Sequence, residues 1–246
     1  MAILEIENLR AGYGEHLVLK GVDAEAEEGK ITLVMGPNGA GKSTLFKSIF
    51  GLLDPSGGSI WFRGEDLTGS TQEELLNRGM AYVLQRSALF EDMTIRENLE
   101  MGAYVADGDY DLEAKLEEIY DLFPLLEDRA ETKARTLSGG QRQMVEFGRG
   151  LMLDPEFMLI DEPTAGLAPK IIDQVFERVQ EINETGVTIF MIEQNIKTGL
   201  EYSDYAYVLD NGQTRFHGPA DTILDNPEIR DAYLSENVSY DAGGDD

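Results

Sequence analysis

A glycine-rich loop at residues 36–43 constrains the fold of this chain more than any other feature. Its sequence, GPNGAGKS, matches the pattern G-x-x-x-x-G-K-[ST]. Residues 31–35 before the loop have the unbroken apolar character of a buried strand, and residues 44–53 after it are predicted to form a helix. Pattern and context together predict a phosphate-binding loop at a strand-to-helix turn.

The residues of this loop suit a nucleoside triphosphate. Glycines allow the backbone to curl so that successive N–H groups face phosphate oxygens, and the following helix adds the positive end of its dipole. We expect Lys42 to reach the β- and γ-phosphates, the Ser43 hydroxyl to bind Mg²⁺ and Thr44 to contact phosphate. The predicted nucleotide-binding residues of the loop are Gly36, Pro37, Asn38, Gly39, Ala40, Gly41, Lys42, Ser43 and Thr44.

Tyr13 is a candidate platform for the adenine base. Small residues flank it on both sides, Gly12 before and Gly14 after, so one face of its ring could be open for stacking. An ordinary core tyrosine is the alternative, and the sequence leaves both open.

Two acids end the apolar strand predicted at residues 157–160. In a parallel sheet the carboxyl ends of the strands line the ligand crevice, and the phosphate loop also follows a strand end. We therefore expect Asp161 to hold Mg²⁺, and Glu162 to orient and partly deprotonate an attacking water. Gln85 ends another predicted strand, and its carbonyl oxygen is a further candidate Mg²⁺ ligand. An ordinary turn at Glu162 and a solvent-facing Gln85 are the alternatives.

The segment LSGGQ at residues 137–141 precedes a helical pattern at residues 142–153. Ser138 and Gln141 have the spacing of a capping box. The two glycines between them are predicted to leave the helix tip open to an anion, whereas a capped helix that binds nothing is the alternative. The candidate contacts here are Leu137, Ser138, Gly139, Gly140 and Gln141.

The chain is strongly acidic, with 47 Asp and Glu residues against 20 Lys and Arg residues and a net charge of −27. This charge argues against nucleic acid or anionic lipid as the main ligand. Acidic clusters at residues 25–28, 73–74 and 117–118 indicate a solvated surface and favour adaptation to a salty cytoplasm, where charge repulsion is screened. A basic partner surface is the alternative.

Composition excludes several other classes of protein. There is no cysteine for a disulfide or thiolate site, and two histidines offer little for a zinc site. No apolar run has the length of a membrane span, and the N-terminus does not resemble a signal peptide. We therefore expect a soluble, cytoplasmic chain with no direct membrane insertion.

The order of strand and helix patterns predicts an α/β fold. Strand patterns occupy residues 3–9, 31–35, 59–62 and 80–84, and they return after residue 157. Between about residues 86 and 155 the pattern is helical. We expect one domain at residues 1–236 with a helical subdomain inserted at about residues 86–155, followed by an acidic, disordered tail at residues 237–246.

The phosphate loop, the LSGGQ segment and the sequence MLIDEP at residues 158–163, in this order and spacing, resemble the ATP-binding cassette (ABC) ATPases. The resemblance covers nearly the whole chain. It implies a P-loop NTPase core with a mixed sheet, a RecA-like body and N-terminal antiparallel strands. It also implies a head-to-tail dimer, in which each ATP lies between the phosphate loop of one subunit and the LSGGQ helix of the other.

A closer resemblance is to the LivF-type ATPases of branched-chain amino-acid importers, and together with the acidic composition it implies a halophilic archaeon as the source. It rests on IEQN at residues 192–195, AGLAP at 165–169 and YDLFPLL at 120–126. Gln194 stands where most ABC ATPases have a histidine. Because glutamine does not gain a proton near neutral pH, Gln194 can only hydrogen-bond the γ-phosphate or orient water. Ala168 stands where an aspartate is usual, which removes a carboxylate from the contact between subunits.

The resemblance implies an ATPase that binds ATP and Mg²⁺ and couples hydrolysis to amino-acid import. Its partners would be transmembrane permease subunits and either a sister ATPase or a second copy of this chain, at the inner face of the cell membrane. Two alternatives remain open: a soluble ABC ATPase of iron–sulfur cluster assembly, and a nucleotide-gated ABC module without a transport role.

Overall fold

The structure is a computed structural model that describes residues 1–85, 88–106 and 108–229. The strands of these ranges are β1 (Ala2–Tyr13), β2 (His16–Glu27), β3 (Ile31–Met35), β4 (Gly57–Phe62), β5 (Glu65–Asp66), β6 (Met80–Val83), β7 (Phe157–Asp161), β8 (Thr188–Ile192), β9 (Tyr205–Asp210) and β10 (Gln213–Pro219). The helices are α1 (Lys42–Ile49), α2 (Gln72–Asn77), α3 (Ile95–Gly102), α4 (Leu112–Leu122), α5 (Pro124–Asp128), α6 (Gly139–Leu151), α7 (Pro169–Glu184), α8 (Ile196–Glu201), α9 (Ala220–Asp225) and α10 (Pro227–Ile229). Every helix in the described ranges is too short or too polar to cross a lipid bilayer.

Two compact units share these elements. Unit 1 contains residues 1–69 together with the described residues from Phe190 onward, and unit 2 contains Ser70–Ile189. Unit 1 begins with an antiparallel sheet of strand order β2-β1-β4-β5. A bulge at Asn8, where φ is 46°, adds a residue to β1, so Ile6 and Leu9 both face the core although they are three positions apart.

Unit 1 also contains a mixed sheet segment that positions the phosphate loop. Strand β3 pairs parallel with β9, and β9 pairs antiparallel with β10. All five residues of β3 are buried, as expected for a parallel strand covered on both faces. Helix α1 anchors to the core through Phe46, whose ring stacks on that of Phe190 at a centroid distance of 5.5 Å. The loop between β3 and α1 therefore begins and ends on rigid elements.

Unit 2 combines a parallel strand pair with helices. Strands β6 and β7 align from Met80 opposite Phe157 to Val83 opposite Ile160, so both carboxyl ends lie at the same edge. Helices α3 and α6 pack closely at Gly148, where a Cβ atom would come within 2.8 Å of a Leu99 methyl group. A larger residue at this position would push the two helices apart.

The predicted α/β class with antiparallel N-terminal strands is confirmed, although helix ends differ from the prediction. Helix α1 ends at Ile49 and not at residue 53, because Gly51 adopts a left-handed conformation with φ of 63°. Helix α6 begins at Gly139 and not at residue 142, because Ser138 caps it. The helical subdomain at residues 86–155 stays a prediction, and the predicted tail at residues 237–246 lies outside the described residues.

The acidic clusters at residues 25–28, 73–74 and 117–118 have exposed carboxylates, as predicted for a solvated surface. We expect the melting temperature to rise when KCl increases from about 0.1 M to about 3 M, because the Debye length falls to about 3 Å or less. Each kcal/mol of screened repulsion should raise Tm by about 2–4 °C. Thermal melts in KCl, with sorbitol of equal osmolarity as the control, measure the effect. A Tm that does not rise with KCl would contradict salt adaptation.

Candidate functional site

The phosphate loop depends on glycines in left-handed or otherwise positive-φ conformations. The φ angles of Gly36, Gly39 and Gly41 are 147°, 83° and 107°. A Cβ atom on Gly36 would lie 2.1 Å from the carbonyl oxygen of Leu209, which no side chain tolerates. The loop can therefore adopt this path only with the glycines that the sequence places there.

Lys42 opens helix α1 and is 5% exposed. Its Nζ donates hydrogen bonds to the carbonyl oxygens of Gly36 at 2.8 Å and Pro37 at 3.2 Å, so the ammonium group lies against the loop. Ser43 is partly buried and Thr44 is buried. A positive charge on the first residue of a helix suits phosphate, because the helix N-terminus also attracts an anion. These features fit the predicted nucleotide-binding role.

The ring of Tyr13 is 50% exposed at the end of β1, so the alternative of a core tyrosine is wrong. The ammonium of Lys47 lies 6.0 Å from its ring centroid, which is at the limit of a cation–π contact. The exposure leaves ring surface for stacking, and the adenine contact of Tyr13 stays a prediction.

The two acids at the carboxyl end of β7 are buried and held by side chains of unit 2. Asp161 is 4% exposed and accepts a hydrogen bond from the Tyr82 hydroxyl at 3.0 Å. Glu162 is 6% exposed and accepts a hydrogen bond from the Gln85 amide nitrogen. Its φ of 49° is uncommon outside glycine and is typical of strained positions at functional sites. Gln85 and Glu162, predicted separately, thus lie together.

The role of Tyr82 could not be predicted from the sequence. The parallel register places Tyr82 of β6 opposite Leu159 of β7. The Tyr82 hydroxyl extends to Asp161, the last residue of β7. Only the pairing of β6 with β7 brings these two residues together. An interior residue of a short apolar strand carries no signal that its hydroxyl has a partner on another strand.

The LSGGQ segment forms the predicted capping box at the start of α6. The Ser138 hydroxyl accepts the Gln141 N–H at 3.4 Å, and Gln141 Oε1 accepts the Ser138 N–H at 3.1 Å. Gln141 Oε1 also accepts a hydrogen bond from Arg129 at 2.9 Å, a contact between positions distant from one another in the sequence. The cap therefore includes a cation that the spacing of the motif does not reveal.

The two glycines of this segment have a packing role in addition to the predicted opening of the helix tip. A Cβ atom on Gly139 would lie 2.6 Å from a methyl group of Leu167. A Cβ atom on Gly140 would lie 2.7 Å from a methyl group of Ile171. The glycines thus allow Leu167, just before α7, and Ile171, in its first turn, to approach α6. Leu137 is 7% exposed and lies inside the unit, whereas a contact of the segment with phosphate stays a prediction.

Gln194 follows β8 in unit 1 and is exposed. The turn that carries it is held by Glu193, a carboxylate only 1% exposed. Glu193 Oε2 accepts the N–H groups of Gln194 at 2.9 Å and Asn195 at 3.2 Å. Glu193 therefore stabilises the turn. The sequence shows an acid at this position but gives no sign of this role.

The predicted Mg²⁺ ligands are all oxygen donors: the Ser43 hydroxyl, the Gln85 amide and the Asp161 carboxylate. Because the Gln85 amide nitrogen is bonded to Glu162, its oxygen is the atom that could face a cation. No group of three or more acidic, histidine or cysteine side chains suited to a metal occurs among the described residues. This set fits Mg²⁺, which commonly binds one or two carboxylates together with phosphate oxygens and water.

Comparison with known proteins identifies the family of this chain. A family model described as ABC transporter matches residues 19–165. The branched-chain amino acid transport ATP-binding protein BraG of Pseudomonas aeruginosa is 40% identical over 232 residues, which cover 94% of this chain and 99% of that protein. A probable branched-chain amino acid transport ATP-binding protein, LivF of Archaeoglobus fulgidus, is 38% identical and covers 92% of this chain and 96% of its own length.

Solved structures agree with the sequence relatives. The ADP conformation of MJ1267, an ATP-binding cassette of an ABC transporter, superposes with a TM-score of 0.84 at 32% identity and covers 95% of this chain and 99% of its own. The dimeric cassette MJ0796 has a TM-score of 0.77 at 26% identity and covers 88% and 98%. The chain therefore belongs to the ABC transporter ATPases, a family that binds ATP or ADP.

Proposed function

We propose that this chain is the ATP-hydrolysing subunit of an ABC importer for branched-chain amino acids. The main support for hydrolysis is the hydrogen bond from the Gln85 amide to Glu162, the residue that follows Asp161. This bond orients a buried carboxylate that could act on a water molecule. The likeness over 94% of the chain to the branched-chain amino acid transport protein BraG supports the cargo class.

Hydrolysis is assigned to side chains of the phosphate loop, the end of β7 and the turns after β6 and β8. Lys42 binds the β- and γ-phosphates, with the backbone N–H groups of the loop. Glu162 accepts a proton from the attacking water and orients it, and Gln85 keeps the Glu162 carboxylate in place. Gln194 hydrogen-bonds the γ-phosphate or the water. Mg²⁺, held by Ser43, Asp161 and Gln85, would neutralise charge on the phosphates.

Each ATP is proposed to lie between two subunits in a head-to-tail dimer. The phosphate loop before α1 and the capped tip of α6 are two separate candidate anion-binding elements in one chain. A two-fold axis would pair each loop with the α6 tip of the partner and so form two equivalent sites. The partner is a second copy or a sister ATPase, and the dimeric cassette MJ0796 is a precedent within the family.

ATP binding would close this dimer, and hydrolysis would reopen it. Permease subunits would receive the motion at the helical subdomain, near residues 85–98, and hold the chain at the inner face of the cell membrane. In this proposal residues 1–236 act as one ATP-binding domain.

Uptake measurements test the cargo. Deletion of the gene in the source organism should abolish high-affinity uptake of radiolabelled leucine, isoleucine and valine and spare uptake of lysine. The wild-type chain should restore uptake, whereas Glu162→Gln should not. If deletion spares all three amino acids, the importer assignment fails. Loss of iron–sulfur enzyme activity in the same strain would instead support the cluster-assembly alternative, which the relatives do not favour.

A further inference from the structure

Glu146 and Arg149 of α6 enclose the main chain of Ala88 in a ring of hydrogen bonds. Glu146 Oε1 accepts the Ala88 N–H at 2.7 Å, and Arg149 Nη1 donates to the Ala88 carbonyl at 2.7 Å. Arg149 Nη2 closes the ring by donating to Glu146 Oε2 at 2.8 Å. We call this arrangement the Ala88 clasp. It satisfies both backbone groups of a residue outside any helix or strand.

The clasp is largely removed from solvent. The Glu146 side chain is 4% exposed and the Arg149 side chain 20%. Removing two charges from water is costly unless each charge has hydrogen-bond partners. The main chain of Ala88 supplies such a partner to both Glu146 and Arg149. The planar guanidinium bonds the carboxylate and the Ala88 carbonyl at once, which an ammonium group cannot do with the same geometry.

A second side chain holds the same segment two residues further on. Asn98 of α3 is 0% exposed, accepts the Phe90 N–H at 2.8 Å and donates to the Phe90 carbonyl at 3.1 Å. Ala88 and Phe90 are therefore each bonded at both main-chain groups by side chains of helices. The Phe90 side chain is 45% exposed. Its main chain is thus held by the buried Asn98, while its apolar ring is partly in contact with solvent.

The clasp lies between two parts of the proposed ATPase site, the Gln85 segment and helix α6. Ala88 comes three residues after Gln85, whose amide is bonded to Glu162. Glu146 and Arg149 lie on the helix that begins at the Ser138–Gln141 capping box. The clasp bonds both main-chain groups of Ala88 to α6. Because only two residues separate Ala88 from Gln85 along the chain, a displacement of Ala88 should also affect Gln85.

We propose that Glu146 and Arg149 are positioning residues for ATP hydrolysis, which hold Ala88 and through it set the placement of Gln85 against Glu162. This inference rests on the roles proposed above for Gln85 and Glu162. A small misplacement of a catalytic group lowers the rate of the chemical step, whereas substrate binding by the Lys42 loop does not depend on it. The clasp should therefore affect kcat far more than KM.

Arg149→Met should lower kcat for ATP roughly ten- to hundredfold and leave KM within about twofold. It should also lower Tm, because the buried Glu146 carboxylate loses its hydrogen-bonded ion pair with Arg149. The matched control is Arg178→Met, since Arg178 and Glu181 form an ion pair of the same spacing on α7. That variant should keep the wild-type kcat.

The double variant Glu146→Gln/Arg149→Met separates positioning from stability. The introduced amide keeps an acceptor for the Ala88 N–H and removes the buried charge, so Tm should recover while kcat stays low. If kcat recovers together with Tm, the clasp only stabilises the fold and the proposal is overturned. Arg149→Lys should likewise keep most of the stability and lose most of the rate.

Amide hydrogen exchange tests the geometry independently of turnover. Glu146→Ala should remove protection of the Ala88 N–H and spare that of Phe90, which Asn98 holds. Unchanged Ala88 protection would overturn the clasp. If Glu162→Gln turns over normally, the proposed catalytic assignment fails instead. If Glu162→Gln is inactive but Arg149→Met has wild-type kcat, only the positioning role is refuted.

Discussion

Lys42→Ala should weaken ATP binding roughly a hundredfold, a loss of about 3 kcal/mol. The substitution removes the buried ammonium that lies against the loop carbonyls of Gly36 and Pro37, and with it the charge-assisted hydrogen bonds to phosphate. Isothermal titration calorimetry with ATP and Mg²⁺ measures the change. Because the ammonium is small and the loop path is set by glycines, the fold should persist, which a far-ultraviolet circular dichroism spectrum checks.

Lys30→Ala is the matched control for this experiment. Lys30 pairs with Asp204 in an exposed ion pair of the same unit, so its loss removes the same formal charge from the chain without touching the loop. We expect its ATP affinity to match that of the wild type. An unchanged affinity in Lys42→Ala would refute the assignment of residues 36–43 as the phosphate-binding loop.

Glu162→Gln should lower the ATPase rate about 10²- to 10⁴-fold, the usual contribution of a general base. Glutamine keeps the shape of the side chain and can still bond Gln85, but it cannot accept a proton from water. ATP affinity should be preserved, and the ATP-bound dimer should accumulate, because the step that reopens it is blocked. Phosphate release and sedimentation velocity with ATP measure the two effects. Normal turnover in this variant would remove Glu162 from catalysis.

Asp161→Asn and Glu131→Gln provide the comparisons for Glu162→Gln. Asp161→Asn removes a neighbouring buried carboxylate, and it should reduce the dependence of ATP binding on Mg²⁺ rather than trap a dimer. Glu131 is exposed, and its glutamine variant should behave as wild type. If Asp161→Asn and Glu162→Gln both trap the ATP-bound dimer, the two carboxylates do not have the distinct roles proposed here.

The local chemistry of the site was predictable because it depends on short stretches of sequence. The positive φ angles at Gly36 and Gly41 follow from the two fixed glycines of the pattern, because these conformations are strained for any other residue. The Ser138–Gln141 capping box likewise follows from spacing within one helical turn. In both cases the interacting groups lie within a few residues of each other, so the sequence order already carries the geometry.

Partners distant in the sequence were not predictable. Tyr82 bonds Asp161, Arg129 bonds Gln141 and Arg149 bonds Ala88, and nothing in the local sequence of these residues indicates such contacts. Glu162 and Gln85 were each proposed for the site, but their mutual hydrogen bond depends on the parallel alignment of β6 with β7. Strand register and helix packing decide these contacts.

Residue type and spacing were enough to predict the phosphate loop, the capped start of α6, the two acids at the end of β7 and the α/β class, because backbone conformation and strand character depend on them. How these groups are held depends on contacts between strands and helices that are far apart in the chain. The buried charges of Asp161, Glu162 and Glu146 each require partners, and those partners come from other strands and helices. Burial imposes this requirement, since an unpaired charge away from water is too costly to keep.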